Sequence, residues 1–538
     1  MLLMVAALFA ACANEDITQD KKKENGTEAP KGCVIFAANG PKASAKRLSI
    51  DGEEETASAK TRTNIKHTVG QGADAYWTSD DFIWVKKQDG TWAKSTAITL
   101  HDGGASAEFT LPGSKSDYAD GCEVRYTGNS WTSYSWPAAS NRVGFPKEQS
   151  RTAPNDFSKA GDWGDCGSGI ARNTGNPDKF NFTLAHKSSY LCFLPRCENA
   201  ALAPNIRLKG IKITTDQIFL SYIHNFDGEH LTEIGYPQLF PSINVTLPDF
   251  PLYTDARQED NATYLVVPPG TYNFFQIEYT IKDPTTNVET VVTDTRTGIT
   301  LDKGNIYDVT ANLVPQADKY YMWDAKYDYW YNHLKADGTP DGDYPKNNTD
   351  PRWYHEGSGV VATESCKDCP NVNELCWYVM KGDAHWVDNA ESRVIVNMGH
   401  LQKVNVGGVW LRKKSAIVAY LKANEGYPAN FTEADLKAGY KTSASAAPKD
   451  YTLQYAYFNA PVTLGTPAPI EDYFFLPALG EYSFGALNSF GSIGYYWSAS
   501  ESSWHIPFSA HCLAFYNTGI TVGGRSERYY GYSVSSFE

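Results

Sequence analysis

The stretch that decides the fold lies near the end of the chain, where residues 474–504 read FFLPALGEYSFGALNSFGSIGYYWSASESSW. Residues 512–524, CLAFYNTGITVGG, and residues 525–538, RSERYYGYSVSSFE, complete it. Short apolar and aromatic runs alternate here with glycine, serine and asparagine, which is the pattern of short strands joined by turns. The sequence therefore predicts a strand-rich region at this end.

These segments resemble the closing part of a C-type-lectin-like domain. Further upstream, residues 320–330 (YYMWDAKYDYW) and 366–386 (CKDCPNVNELCWYVMKGDAHW), with a Gly-, Asp-, Pro- and Asn-rich loop between them, resemble the start of the Fibrobacter-paralogous form of that domain. The resemblance implies an α+β ligand-binding domain over residues 319–538. It also implies that Tyr496 and Trp497 lie in the domain core.

Three helices are predicted in this region. Asn371 can cap the first helix, because Glu374 stands three residues later and Gly382 follows the last turn. The second helix is expected at residues 414–422, and Thr432 can cap a short third one. Helices followed by a strand-rich end fit the α+β character of lectin-like folds.

The ligand surface is expected to consist of aromatic rings and not of a calcium site. Calcium-dependent lectins hold the ion and the sugar with EPN or QPD and WND tripeptides, and none of these occurs here. Residues 498–508, SASESSWHIPF, form a serine-rich loop that contains aromatic side chains on which a sugar ring could stack. The predicted ligand-binding residues are Ser503, Trp504, His505 and Phe508, with a second cluster at Arg525, Arg528, Tyr529 and Tyr530. A structural role is the stronger alternative for the second cluster, since the family pattern has a structural arginine near this place.

Two β-sandwiches are predicted in the middle of the chain. Residues 275–281 (FQIEYTI) alternate apolar and polar side chains, and residues 75–87 (AYWTSDDFIWVKK) place Phe82 and Trp84 on one face and Ile83 and Val85 on the other. Motifs that resemble the fimbrillin superfamily of Bacteroidetes occur at residues 77–85, 180–186, 266–272 and 299–313. That family has two β-sandwich domains after a lipoprotein signal, which implies sandwiches at residues 33–175 and 176–318. An unrelated pair of surface sandwiches is the alternative.

The beginning of the sequence resembles a lipoprotein signal. An apolar run, Met1 to Ala11, is too short to span a bilayer and directly precedes Cys12. In lipoproteins a peptidase cuts before this cysteine, which is then lipidated, so the resemblance implies a signal at residues 1–12. Residues 13–32 are then a flexible tether, and the acidic residues 14–16 resemble a surface-export signal. A lipoprotein at the outer membrane and cell surface is expected, and a truncated ordinary signal peptide is the alternative.

Composition and motif content argue against several functions. The net charge of −14 disfavours nucleic acid as a partner, because phosphate binding rewards basic patches. No HExxH, GxSxG or Walker sequence occurs, so neither an enzyme nor a cofactor is expected. A formylglycine-generating-type enzyme is the remaining alternative, and only Cys512 beside His511 suggests it.

One group of cysteines has a spacing that could bind zinc. Cys366, Cys369 and Cys376 lie within eleven residues, and His385 follows. In an exported chain such cysteines commonly form a disulfide or remain buried thiols, and Cys376 falls inside the first predicted helix. No metal site is therefore predicted.

Together these features predict a fimbrial tip subunit. The fimbrillin resemblance implies strand exchange, in which a protease removes the first strand and a partner's strand occupies the groove. Residues 33–37 would be the removed strand and Arg47 or Arg62 the cleavage site, although each arginine could equally be a surface residue of a loop. The expected partners are a fimbrial shaft or adaptor subunit and a host or microbial surface glycan or protein, and membrane contact is expected only through the lipid anchor. A non-polymerising lipoprotein that captures polysaccharide for nutrient uptake is the alternative.

Overall fold

The computed structural model describes most of the chain, and its fold is mainly β, as the sequence predicts. The described residues are 29–39, 44–48, 56–58, 64–70, 72–129, 137–176, 178–217, 220–234, 240–315, 317–335, 338–452 and 454–538. Within these ranges, the side chains of residues 39, 44–48, 56–58, 64, 72, 524 and 525 are not described. Several predicted features lie outside the described residues: Cys12 with the rest of the signal, residues 13–28 of the tether, and Arg62.

The strands are numbered in chain order. The first group comprises β1 (Cys33–Asn39), β2 (Ser44–Leu48), β3 (Thr56–Ser58), β4 (Asn64–Thr68), β5 (Gly72–Tyr76), β6 (Trp84–Lys86), β7 (Trp92–Lys94), β8 (Ala97–His101), β9 (Ser106–Pro112), β10 (Glu123–Tyr126), β11 (Arg142–Gly144), β12 (Glu148–Ser150), β13 (Gly167–Ile170), β14 (Arg172–Asn173), β15 (Lys179–Phe182) and β16 (Ala185–His186). The second group comprises β17 (Ser189–Arg196), β18 (Arg207–Thr215), β19 (Ile223–Phe226), β20 (Leu231–Glu233), β21 (Ser242–Pro251), β22 (Thr263–Val267), β23 (Gly270–Tyr272), β24 (Phe275–Asp283), β25 (Val288–Arg296), β26 (Ile299–Leu301) and β27 (Asn305–Asn312).

The last group of strands and the α-helices complete the fold. The strands are β28 (His385–Asn397), β29 (His400–Arg412), β30 (Tyr457–Pro461), β31 (Thr463–Leu464), β32 (Tyr473–Pro477), β33 (Glu481–Ser483), β34 (Ala486–Asn488), β35 (Gly494–Glu501), β36 (Ser509–Tyr516) and β37 (Gly519–Glu527). The helices are α1 (Gln258–Asn261), α2 (Val372–Lys381), α3 (Lys414–Asn424) and α4 (Glu433–Ala438). No helix in the described part of the chain combines the length and the apolar character that a bilayer span requires.

Two five-stranded sheets face each other across the first core. Their strand orders are β14-β15-β1-β9-β8 and β16-β13-β10-β6-β7. Strand β1 pairs with β15 on one side and with β9 on the other, and its Val34, Phe36 and Ala38 are buried. Because side chains alternate along a strand, this face of β1 fills the space between the two sheets.

The segment around β6 is shorter as a strand than the sequence predicts. Strand β6 begins only at Trp84, because the Asp81 carboxylate accepts a hydrogen bond from Thr78 N at 2.7 Å and turns the chain just before it. The expected alternation nevertheless holds, since Ile83 and Val85 are fully buried in the first core.

A second pair of sheets encloses the largest part of the core. Their orders are β12-β21-β18-β24-β25 and β22-β17-β27-β2-β3. Strand β24 alternates buried and half-buried residues as predicted. In β17, by contrast, nearly every residue is buried, because its sheet is covered on both faces. The partner sheet covers one face, and the β4-β5 hairpin together with residues 143–166 covers the other.

The sheets do not follow the boundary expected between residues 175 and 176. Strands β15 and β16, which lie after that boundary, belong to the first pair of sheets, where β15 lies parallel to β1. Conversely, β2, β3 and β12 lie before it and belong to the second pair. A boundary read from motif order cannot show these exchanges, because each depends on pairing between strands distant in sequence.

The predicted helices of the C-terminal region are confirmed. The Asn371 side chain accepts a hydrogen bond from Glu374 N at 3.0 Å, and the Glu374 carboxylate accepts one from Asn371 N at 2.9 Å, so the two form a capping box at α2. Helix α3 extends slightly beyond the predicted range, and Thr432 caps α4. Tyr496 and Trp497 are buried, in agreement with their expected core positions.

Two four-stranded sheets accompany these helices. Their orders are β31-β28-β29-β32 and β30-β37-β36-β35, and β33-β34 forms a separate hairpin. The two ends of the region meet, since Tyr321 and Tyr532 form an antiparallel bridge. The tip of the long β28-β29 hairpin reaches the second pair of sheets, where His400 Nδ1 lies 2.9 Å from the Asp283 carboxylate and the buried Leu401 joins the core.

Candidate functional site

A pocket lined mainly by aromatic rings in the C-terminal region is a candidate ligand site. Its volume is about 360 Å³, and three segments of chain supply its walls: the beginning of the region, the tip of the β33-β34 hairpin, and the residues after β37. The lining residues are Tyr329, Tyr344, Pro345, Lys346, Trp353, Phe484 and Tyr529. Five of the seven are aromatic, so a ligand would meet ring faces and edges.

A buried arginine fixes the loop that carries four of the seven lining residues. Arg352 is fully buried, and its Nη1 donates to Tyr329 O at 3.1 Å while its Nη2 donates to Asp343 O at 2.9 Å. The same guanidinium binds the Asp350 carboxylate through Nε at 2.9 Å and Nη2 at 2.6 Å. Such a bidentate pair is geometrically specific, so it locks the loop between residues 343 and 353 against the segment that contains Tyr329.

The tip of the β33-β34 hairpin places the Phe484 ring in the pocket wall that the loop at residues 343–353 does not supply. Phe484 has a positive φ of 48°, which is uncommon for an aromatic residue. Its side chain is 63% exposed. Gly485 follows with φ of 81°, and its N donates to the Tyr329 hydroxyl at 3.2 Å. A Cβ on Gly485 would lie 2.8 Å from Cδ1 of Tyr344, so the absence of a side chain allows the hairpin to approach the Tyr344 ring.

The polar groups around the pocket complement its rings. Lys346 Nζ lies 2.8 Å from the Asp343 carboxylate and 5.2 Å from the centre of the Tyr344 ring. Trp353 Nε1 donates to the Glu356 carboxylate at 3.0 Å. Burial, with smaller contributions from neighbouring Tyr530 and Glu527, raises the pKa of Tyr529 to about 12, so its hydroxyl stays neutral and can donate or accept. Rings flanked by hydroxyl, ammonium and carboxylate groups suit a polyhydroxylated ring with apolar faces.

The predicted loop before β36 forms a different surface. Trp504 is 54% exposed and its ring lies 5.3 Å from that of Tyr455. His505 Nδ1 lies 3.6 Å from the Glu527 carboxylate, while Phe508 is exposed and packs 5.2 Å from the His505 ring. Ser503 is exposed as well. The structure thus places Ser503, Trp504, His505 and Phe508 on the surface, but none of them lines the aromatic pocket.

The second predicted cluster separates into interior and pocket residues. Arg528 is fully buried, where its Nη2 donates to the Glu501 carboxylate at 2.8 Å and its Nη1 donates to His355 O and Gly357 O. Its guanidinium also lies 4.3 Å from the centre of the Trp323 ring. The interior position corrects the expectation that Arg528 contacts a ligand and matches the structural alternative.

The tyrosines beside Arg528 differ in their surroundings. Tyr529 lines the pocket and its ring lies 5.8 Å from that of Phe484. Tyr530 is half-buried and stacks 6.0 Å from Tyr532 outside the pocket lining. The side chain of Arg525 lies outside the described residues. Tyr529 is therefore the member of the predicted set that the structure brings into the pocket.

The cysteines considered for metal or redox chemistry are buried thiols. Cys366, Cys369 and Cys376 are buried and unpaired, and no ligand cluster among the described residues unites them with His385. Burial raises the pKa of Cys512 to about 12, and its Sγ lies 2.9 Å from Ser526 Oγ. The ring of His511 bonds instead to backbone, with Nδ1 2.7 Å from Glu501 O and Nε2 accepting from Ala456 N. A thiol in this setting stays protonated, which disfavours it as a nucleophile.

Sequence reasoning missed most of the pocket. Tyr329, Tyr344, Trp353 and Phe484 were not predicted as ligand-binding residues, because they lie in loops whose relative positions depend on Arg352 and on the hairpin. The available signals were the aromatic density of residues 320–330 and the turn residues around Phe484, but neither indicates which rings meet.

Comparisons with known proteins find weak similarity to solved structures of adhesion and fimbrial proteins. No protein-family model and no curated protein matches it. It is similar to a candidate cell adhesion protein from Bacteroides ovatus at 13% identity and TM-score 0.28, over 52% of this chain and 92% of that one. A candidate cell adhesion protein from Bacteroides fragilis matches at 10% identity and TM-score 0.30, over 53% and 95%. A fimbrial protein from Bacteroides ovatus matches at 11% identity and TM-score 0.23, over 93% and 98%. Similarities at this level carry no argument about the fold or the function of this chain.

Proposed function

We propose that the chain is a cell-surface adhesin whose C-terminal region binds glycan in the aromatic pocket. The pocket itself carries the proposal, because five rings converge from three separate segments and a buried arginine holds the main loop in place. Stacking of sugar faces on Trp353 and Phe484, with hydrogen bonds from Tyr529 and Lys346, requires no calcium ion. Neutral or acidic sugars fit the ammonium of Lys346 better than basic ones.

Glycan-array binding by the full chain tests this proposal. Trp353→Ala removes a ring of the pocket and should abolish or strongly weaken binding. Trp504→Ala, which removes an exposed ring outside the pocket, is the matched control and should leave binding unchanged. Loss of binding in Trp504→Ala alone would move the site to the loop before β36, and an array with no bound glycan would contradict the proposal.

The same proposal includes assembly into a fimbrium by strand exchange. Strand β1 is the natural element to exchange, because it is paired on both sides and its apolar face fills the first core, so its removal would leave a groove for a donor strand. The backbone of Arg47 lies in β2, opposite Asp308, which means that cleavage there requires β2 to leave its sheet first. A fimbrial shaft or adaptor subunit is the proposed strand donor.

The tip position, the lipid anchor at Cys12 and a separate C-terminal domain at residues 319–538 are parts of this proposal. One contact supports the tip position. The ring of Phe537 packs against Tyr378 and Tyr496, so residues near 537 are held against the C-terminal region itself. Immunogold electron microscopy on intact cells, with antibody against residues 320–538, tests the position. Gold at filament ends supports a tip adhesin, whereas label confined to the outer membrane supports the polysaccharide-capturing lipoprotein.

A further inference from the structure

Three metal-binding side chains meet in the second pair of sheets, far from the aromatic pocket in sequence. His67, Cys192 and Asp308 are buried, and one donor atom from each lies within 4.8 Å of the other two. The three residues come from the β4-β5 hairpin, from β17 and from β27. Within the described part of the chain, no other group of three such side chains converges in this way.

Strand register explains how the cluster forms. Cys192 stands directly opposite Asp308 in the parallel pair β17-β27, and Tyr264 stands opposite Cys192 in the antiparallel pair β22-β17. Residues directly opposite in a sheet share one face, so the hydroxyl, the thiol and the carboxylate form a row. The β4-β5 hairpin covers this face, and Gln258 Nε2 donates to His67 O at 2.7 Å, which fixes the backbone of the histidine.

The three side chains are hydrogen-bonded within an apolar core. His67 Nε2 lies 2.7 Å from the Asp308 carboxylate, which also accepts from Gly70 N at 2.9 Å. Around them the core is apolar and includes Ile65 and Ile306. These contacts already bring a nitrogen, a sulfur and an oxygen donor together in a site shielded from water, and an ion would replace the hydrogen bonds with coordination.

We propose that His67 Nε2, Cys192 Sγ and an Asp308 carboxylate oxygen bind one divalent transition-metal ion, with zinc as the best match. Nitrogen, sulfur and oxygen at about 2.0–2.3 Å are the zinc ligands of proteins, and tetrahedral ligands lie roughly 3.5 Å apart. The three donor atoms lie within 4.8 Å of one another, and His67 Nε2 lies 2.7 Å from Asp308 Oδ1. Small shifts that open this pair and close the wider separations would therefore give the geometry of a zinc site. On binding, the thiol proton passes to solvent. A neutral imidazole, a thiolate and a carboxylate then balance the charge of the ion. The Tyr264 hydroxyl remains bonded to Asn155 Oδ1 at 2.5 Å and to Gln258 Nε2 at 3.0 Å.

The ion would join the β4-β5 hairpin to strands of the second core. Residues 64–76 follow both predicted cleavage sites, Arg47 and Arg62, so the ion would hold the new end of a processed chain against β17 and β27. This role adds to the adhesin proposal but does not depend on it, since the site exists with or without cleavage.

Cobalt titration of the full chain tests the site directly. The protein is first dialysed against a chelator, and Co²⁺ is then added while the thiolate-to-cobalt absorption in the near ultraviolet is followed. We expect one equivalent of Co²⁺ to produce the band, Zn²⁺ to abolish it by displacement, and Zn²⁺ to raise the melting temperature of the chelated protein. Absence of both the band and the thermal shift would overturn the proposal and leave a hydrogen-bonded core cluster.

Variants locate the ion. Cys192→Ser and His67→Gln should lose the band, whereas Cys166→Ser, which removes a fully buried thiol from the same core cluster, should keep it. A band that survives Cys192→Ser but is lost in Cys366→Ser would place the ion elsewhere and overturn the assignment. If Cys192→Ser fails to fold, the cobalt stoichiometry of the wild type and the His67→Gln variant still decide whether His67 binds the ion. The control for that variant is His224→Gln, which replaces another buried histidine.

Discussion

Replacement of Arg528 by methionine distinguishes an interior anchor from a ligand contact. The substitution keeps a long apolar side chain but removes the guanidinium, which leaves the Glu501 carboxylate buried without its cation. The carbonyls of Ser509, His355 and Gly357 each lose one hydrogen bond as well, at 3.1, 3.0 and 2.9 Å. Breaking one side of a buried ion pair costs about 3–5 kcal/mol, so Arg528→Met should lower the free energy of unfolding by that amount.

Urea unfolding followed by tryptophan fluorescence measures this loss. Arg172→Met is the matched control, because Arg172 forms an exposed pair with Asp120 at 3.5 Å, and its loss should stay below about 1 kcal/mol. The double variant Arg528→Met/Glu501→Gln should recover part of the stability, since no unpaired charge remains. An Arg528→Met protein that unfolds like the wild type but no longer binds glycan would refute this reasoning and return Arg528 to the ligand surface.

Three further outcomes are expected. Gly485→Ala should weaken glycan binding on the array, because its Cβ would lie 2.8 Å from the Tyr344 ring. The control Gly465→Ala should leave binding unchanged, because Gly465 also has positive φ but no atom lies within 4 Å of its Cβ position. Equal binding by the two variants would contradict this prediction. Phe36→Ala should cost about 3–5 kcal/mol in urea unfolding, because the ring is fully buried in the first core, and a loss below about 1 kcal/mol would contradict that packing. Burial lowers the pKa of His511 from 6.5 to about 4, so the unfolded chain takes up the proton first and the free energy of unfolding should decrease as the pH falls from 6.5 to 4. His511→Gln should reduce this slope without abolishing it, because burial lowers the pKa of His224 to about 4 as well. A wild-type profile that is flat in this range would contradict the prediction.

Local signals in the sequence predict local structure well. The Asn371 and Glu374 pair predicts the start of α2, because both hydrogen bonds of the capping box join residues three apart. The alternation in β24 and the burial of Trp497 follow in the same way from neighbouring residues and from the family resemblance. Each of these predictions depends on a short stretch of chain, and each is confirmed.

The sites depend on contacts that no short stretch contains. Tyr329 and Tyr529 meet across the pocket although two hundred residues separate them, and Arg352 sets the loop between them. Likewise, the sequence analysis considered only clustered cysteines as metal ligands. The proposed site instead unites His67 and Cys192 through strand register and through a hairpin that crosses to the second core. Arg528 shows the converse, since an arginine among exposed-looking tyrosines is in fact a core residue.

Strand exchange at β1 would affect both cores at once, because consecutive strands belong to different sheets. Strand β1 lies between β9 and β15 in the first pair of sheets, whereas β2 extends the second pair beside β27. A cut after Arg47 would therefore release β1 and most of β2, which opens a groove in one sheet and an edge in the other. A single donor strand fills the groove but leaves the edge, and unpaired edges invite further pairing. The β4-β5 hairpin, bound to Asp308 through His67, covers the face of that sheet but not its edge, so a processed subunit would offer two distinct positions for a partner's strands.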